Sequence, residues 1–236
     1  ELSVKHGFEL TELPVDHPGQ EQKSQWLQIR REQPDYVIMW GWGVMNQVAI
    51  QEAANIRYPM DQFIGNWWAG SENDVLPVGD AADGYKALAM HNVGTDFPIF
   101  ADLEQYVTGA GKAAGNGDQV GTVLYNRGFY AAMLAAEAVK KAQEIHGEPN
   151  ITPAMMRDGM EALVIDEALM ESLGMPNSCQ DHGGSGQGKV QQWDASAKEW
   201  KIITDWIESD ASVIDPLIAE DSAAYAAENN VDLACQ

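Results

Sequence analysis

Between Phe8 and Trp68 the hydrophobic period of the chain switches repeatedly, and this constrains the fold more than any other feature of the sequence. FELTELPV (Phe8 to Val15) alternates with the two-residue rhythm of a strand until Asp16, Pro18 and Gly19 break it. SQWLQIRREQ then puts Trp26, Ile29 and Arg30 at helical spacing and stops at Pro34. YVIMW is continuously apolar, as a strand covered on both faces would be. VMNQVAIQEAANI returns to helical spacing, with Val44, Val48, Ile50 and Ala54 near one side, and FIGNWW is again short and apolar. Strand, helix, strand, helix, strand in this order predicts a parallel sheet with helices on its faces, an α/β fold.

The pattern continues with a fourth strand in GYKALAMHNVG (Gly84 to Gly94) and a helix in FPIFADLEQYV (Phe97 to Val107). GAGKAAGNGD, residues 109–118, is a Gly- and Ala-rich break. Beyond it, GTVLYNRGFYAAMLAAEAVKKAQEIHG predicts one long helix with Met133, Ala136 and Val139 on its apolar side and Gly147 at its end. Thr152 as N-cap and Pro153 at the first helical position start another helix in ITPAMMRDGMEAL. MPNSCQDHGGSGQG is a loop, KVQQWDA and EWKIITDW are two strands joined by a short turn, and DPLIAEDSAAYAAENN is a final acidic helix.

Composition excludes several function classes. With 236 residues, 45% of them hydrophobic, the chain can bury the core of one large domain or of two lobes. Its 14 Lys plus Arg against 36 Asp plus Glu give a formal charge of -22, which repels nucleic-acid phosphates and anionic lipid surfaces. No apolar run reaches the roughly 18 residues of a membrane span. ELSVKHGFEL carries neither a basic leader nor an apolar signal region. Cys179 and Cys235 form no dense framework; one bridge or two thiols remain open.

Catalytic and cofactor motifs are weak. Gly109, Gly111 and Ala114 meet the loose dinucleotide fingerprint, but a helical pattern precedes them where a strand is required, so the segment reads as a connector. Lys112 lacks the rest of a P-loop. Cys179, Asp181 and His182 could ligate a metal, yet no second pair completes a structural site, and loop residues are the better reading. Neither GxSxG nor HExxH occurs and the five histidines are scattered, so we expect no enzyme, cofactor or metal.

The aromatic residues carry more. In open parallel sheets ligands bind beyond the carboxyl ends of the strands, where Trp40, Trp42, Trp67 and Trp68 fall. Strand alternation then lets one of each pair face the crevice. Trp40 is expected to seat the strand end, and Trp42, past Gly41, to face a planar or apolar ligand.

The order QWLQIRREQPDYVIMWGWGVMNQVAIQEAA, FIGNWWAG, GYKALA, VLYNRGFYAAMLAAEAV, KVQQWDASAKEWKIITDW resembles the later part of branched-chain amino acid (Leu/Ile/Val-binding) type substrate-binding proteins of ABC transporters, over nearly the whole chain to about Trp206. The resemblance implies a class I periplasmic binding protein: two lobes of parallel sheet flanked by helices, closing on a small molecule. Residues 1–112 would form the second lobe, 113–190 the remainder of the first, 191–215 the strands crossing back, and 216–236 a C-terminal helix and tail. Such proteins begin with a further half-lobe, so the chain is expected to be a piece of a longer protein, with an exposed sheet edge and exposed apolar helix faces.

By the same resemblance, aromatic ligand contacts fall on Trp42 and Trp67, and an aromatic wall falls on Tyr125. Trp67 stands where amino acid binders place an acidic side chain for the ligand ammonium; its ring face could still attract a cation. The implied ligand is less zwitterionic than leucine: a carboxylate, an amide or a small apolar metabolite. The implied partner is a membrane permease, and the implied location is periplasmic or extracellular and membrane-tethered. A ligand-sensing receptor or regulator domain of the same fold is the alternative, with an α/β enzyme third.

Overall fold

The computed structural model describes residues 1–115, 117–164, 184 and 186–232. Helix α1 (Leu2–His6) precedes α2 (Lys23–Glu32), strand β1 (Val37–Met39), α3 (Val44–Ile56), β2 (Phe63–Gly65), the short α4 (Glu72–Val75) and β3 (Lys86–Ala89). Then follow α5 (Pro98–Leu103), α6 (Val123–His146), α7 (Pro153–Glu161), β4 (Gln187–Asp194), β5 (Glu199–Ile202), β6 (Ile207–Glu208) and α8 (Ala211–Asn229). The sheet runs β1-β2-β3-β4-β5, with β6 pairing the start of β4. The first three strands are parallel, while β4 is antiparallel to β3, β5 and β6. The sheet thus has a parallel centre and an antiparallel return.

An aromatic file builds the core on one side of the sheet. Trp26 meets Phe63 edge-on at 5.2 Å, Phe63 meets Tyr85 at 5.0 Å, Tyr85 meets Trp200 at 6.1 Å and Trp200 meets Trp193 at 5.4 Å. Such tilted and edge-to-face pairs add about 0.5–1.5 kcal/mol each beyond area burial. The file crosses from α2 through the strands, so the sequence-distant β4–β5 hairpin is held to the first block by rings as well as by the ladder.

Several expectations need correction. FELTELPV forms no strand: β1 is an edge strand of three residues, and residues 8–15 are irregular, with Phe8 and Leu10 exposed and Leu13 against the core. Pro14 has no N–H for a ladder, and its carbonyl accepts from Gln25 Nε2 instead. YVIMW is covered on one face only; Val37 and Met39 pack inward while Ile38 is 74% exposed. The buried stripe of α3 is Met45, Ala49, Ile50 and Ala53, so Val44 and Val48 are out of phase with the side that docks. Helix α5 stops at Leu103 and gives way to a π turn over Glu104–Thr108.

The caps of the later helices follow the sequence. Thr122 caps α6, Gly147 ends it with φ 68°, and Thr152 Oγ1 accepts from Met155 N at the start of α7. On α6, however, Met133 and Val139 are half-buried and Ala136 is exposed. Val123 and Asn126 are buried in its first turn, and where it meets α7 the buried residues are the small Ala138 and Ala142, because Gly159 of α7 lies so close that a Cβ there would sit 2.9 Å from the Ala142 Cβ. Leu124 and Ile145 of α6 are exposed, and α8 has no buried residue among those described. Cys179, Asp181, His182 and Cys235 lie outside the described residues. No described helix is long and apolar enough to cross a membrane.

Gly65 ends β2 where a side chain would collide with the Tyr85 hydroxyl and come within 2.8 Å of the Ala69 Cβ. Gly65→Ala is therefore expected to destabilise the protein by about 1–3 kcal/mol, read as a lower denaturation midpoint with an unchanged m-value.

Candidate ligand-binding site

Strands β1 and β2 end level, and β3 runs two residues further, to Ala89. Met39 pairs with Gly65 and Gly65 with Ala87, and Asn66 N continues the ladder to Met39 O at 2.9 Å. The backbone then turns through a single 3-10 segment, Trp67–Ala69. Too short to satisfy its own carbonyls, this turn accepts side-chain donors from three directions. Arg127 Nη2 of α6 donates to Trp67 O at 2.7 Å, Asn46 Nδ2 of α3 to Trp68 O at 2.9 Å, and Tyr85 Oη to Ala69 O at 2.8 Å.

This clamp brings four indoles together. Trp68 is the hub, edge-on to Trp40 (6.5 Å, 89°) and to Trp42 (6.0 Å, 83°), and tilted against Trp67 (6.3 Å, 36°). Trp40, Trp42 and Trp68 are 72%, 49% and 45% exposed, and Trp67 is half-buried. Trp40 thus does not seat the strand end: residues two apart project to one side, so Trp40 and Trp42 emerge together across the buried Gly41. Alternation does not separate Trp67 from Trp68 either, because both lie in the 3-10 turn. Tyr125, in the first turn of α6, stacks on Phe129 (6.4 Å, 26°), which continues to Phe100 at 5.7 Å. Trp42 and Trp67 therefore share a neighbour in Trp68, whereas Tyr125 belongs to a second aromatic file.

The polar residues around these rings were not singled out from the sequence. The Arg127 guanidinium lies 4.1 Å from the centre of the Trp67 ring, and burial lowers its pKa. Asp74 caps α4 through Ser71 N and Oγ and accepts from Asn46; burial raises its pKa against those hydrogen bonds. Glu72, also raised by burial, accepts from Val123 N through both oxygens at 3.2 Å and so caps the start of α6. The buried His91 packs its ring 6.3 Å from Trp67 and donates from Nε2 to Val123 O at 2.8 Å. Burial lowers its pKa to about 4, so it is neutral at neutral pH. Trp67 Nε1, Arg127 Nε and His91 Nδ1 are buried without a hydrogen-bond partner among the described residues. Asn46, His91 and Arg127 were legible only as polar residues in otherwise apolar segments.

The mouth offers aromatic faces and edges with a guanidinium behind them, an arrangement suited to stacking and holding a solute. Among the described residues no group of three or more His, Cys, Asp or Glu is placed to hold a metal ion.

Residues 3–198 match the family described as periplasmic binding protein. The chain belongs to that family. It is a family of binding proteins, not of enzymes. No match was found among curated proteins. Among solved structures, a protein of the Pseudomonas fluorescens group described as an ABC transporter permease is 40% identical, with a TM-score of 0.89 over 98% of this chain and 57% of that one. A branched-chain amino acid ABC transporter protein from Thermus thermophilus with bound valine is 15% identical (TM-score 0.71; 90% and 56% covered). A solute-binding protein of an ABC transporter from R. palustris in complex with benzoate is 15% identical (TM-score 0.62; 88% and 54% covered). The chain spans between 54% and 57% of the length of these three relatives.

For this periplasmic binding protein, His91 predicts a pH signature. Its folded pKa of about 4 lies below the ordinary histidine value of 6.5, so the unfolded chain binds the extra proton between those values. The stability it contributes is present above pH 6.5 and is lost as pH falls toward 4, in total about 3 kcal/mol. Glu72 and Asp74, raised by burial, act in the opposite sense, so the readout is a difference. Denaturation of the protein and of His91→Gln across pH 4–7 should show a flatter acid limb in the variant.

Proposed function

We propose that the protein is the solute-binding component of an ABC importer, capturing a small molecule between two lobes and delivering it to a membrane permease. The observation that carries this reading is the convergence of four indoles beyond the ends of β1 and β2, held there by side chains from α3 and α6. Residues 1–112 and 191–215 form the second lobe in this reading, 113–190 complete the first, and 216–236 are a C-terminal helix and tail. The protein works in the periplasm, or outside the cell tethered to the membrane.

The ligand is of amino acid size but less zwitterionic than leucine, a carboxylate or an amide, stacked between Trp42, Tyr125 and Trp67 with Trp40 and Trp68 on the rim. A leucine-like zwitterion suits the mouth poorly. Trp67 supplies no charge for an ammonium group, and the oxygens of the nearby Asp74 and Glu72 already accept from Ser71, Asn46 and Val123. The relatives that hold valine and benzoate frame the range. Capture works by closure: contacts made only when the lobes meet shift an open and closed equilibrium by the solute's differential affinity for the two forms.

Calorimetry on the full-length protein with leucine, valine, benzoate and benzamide tests the ligand class. Tight leucine binding with no response to aromatic acids or amides would remove it. Trp42→Ala is expected to weaken binding of whichever solute responds by about 1–3 kcal/mol; an unchanged affinity would take Trp42 out of the pocket.

A further inference from the structure

Two half-buried cations of this strongly acidic chain lie over aromatic rings. Lys5, Arg31, Lys140, Lys141, Arg157 and Lys201 each lie against a carboxylate. Arg127 and Lys189 are half-buried, and no carboxylate among the described residues forms an ion pair with either. Their partners are neutral. Arg127 donates to the Trp67 carbonyl and covers the Trp67 ring; Lys189 donates to Asn92 Oδ1 at 3.2 Å and covers the Trp206 ring at 4.5 Å.

Both cations flank one short segment at the mouth. Lys189 pairs in register with Ala89, the last residue of β3, and reaches forward to Asn92. From the other side Asn126, the chain neighbour of Arg127, donates to the Asn92 carbonyl at 3.1 Å, and His91 packs on Trp67. The carboxylates close to Arg127 are engaged: Asp74 by Ser71 and Asn46, Glu72 by Val123 N. Half-burying a guanidinium and an ammonium with no ion-paired carboxylate among the described residues is costly, and for Arg127 the Asp74 charge, acting at a distance, offsets part of that cost. In a chain of formal charge -22 it also sets two cationic donors beside one segment of the mouth, where an anion would find N–H groups to pair with.

We propose that Arg127 and Lys189 are the charge-selective residues of the site, receiving the carboxylate of an organic acid whose apolar part lies against the tryptophans. This rests on the reading of the mouth as a solute site and narrows its ligand to the anionic class. The planar guanidinium, already fixed at Trp67, presents its remaining N–H groups to a carboxylate, and the Lys189 ammonium adds a second donor.

The test uses matched acid and amide pairs, benzoate with benzamide and hexanoate with hexanamide, titrated into the full-length protein by calorimetry at two salt concentrations. At least one acid is expected to bind about tenfold or more tightly than its amide, with affinity falling as salt rises. Lys189→Gln should reduce acid affinity about tenfold and leave amide affinity unchanged, whereas Arg127→Gln, which also loosens the Trp67 turn, should weaken both but the acid about tenfold more than its amide, with Arg127→Lys keeping part of the acid preference. Lys189→Gln touches none of the carbonyls of the Trp67 turn, so it reports on charge even where Arg127→Gln unfolds. Amides or leucine binding as well as the acids, or equal losses for acid and amide in the variants, would overturn charge selection while leaving solute capture standing. No response to any of these compounds would overturn both.

Discussion

Three consecutive carbonyls, those of Trp67, Trp68 and Ala69, accept hydrogen bonds from side chains of three different parts of the chain, and the geometry of the mouth depends on this clamp. A regular strand or helix would have satisfied these groups locally. The 3-10 turn after β2 cannot, so it takes Arg127 from α6, Asn46 from α3 and Tyr85 from the entry to β3. Each donor is itself constrained: Tyr85 sits in the aromatic file of the core, Asn46 is bound to Asp74, and Arg127 lies on the Trp67 ring. Moving the turn would leave buried donors unpaired, which costs more than each bond contributes net. Rigidity at the strand ends is how four large side chains with substantial exposure come to share one place.

Around that clamp the charge is arranged against the trend of the molecule. A chain with 36 acidic residues places Asp74 and Glu72 under the turn, but uses both to cap: one holds Ser71, the other the first amide of α6. Their raised pKa values follow from burial, and their hydrogen bonds oppose the shift. Asp74 and Glu72 are thus structural, and the mouth presents aromatic surface with the neutral His91 and the Arg127 guanidinium behind it. Neutral His91 fits the same logic, since burial keeps it uncharged while Nε2 ties β3's end to α6.

The sequence carried the elements whose signal is local and repeated. Thr152 with Pro153, Gly147 after the long helix, and the paired apolar runs of β1 and β2 each have a short-range physical cause, and each element is found. The convergence of the tryptophans was legible too, because parallel strands of similar length put their ends together. Other features depend on what lies across space. FELTELPV has a strand's period but no partner strand among the described residues, and the phase of α3 is set by where Ala49 and Ala53 let the helix approach the sheet. Arg127, Asn46 and His91 act through partners 60, 22 and 32 positions away, and no local pattern marks such a pairing.

Edge-to-face packing of the indoles leaves their faces available, and this bears on how much closure could gain. Trp42 and Trp68 are each about half exposed. For side chains that bury some 150–250 Å² in full, covering the remainder removes about 100 Å² apiece from water. At roughly 25 cal/mol per Å² that is about 2.5 kcal/mol for each ring, or about 5 kcal/mol for the pair. Moving a two-state equilibrium from 1:99 to 99:1 requires about 5.5 kcal/mol of differential affinity. If the mouth holds a solute as proposed, two half-exposed rings on a rigid turn supply most of that shift but not all of it, and the remainder falls to polar contacts formed only when the opposing surface arrives.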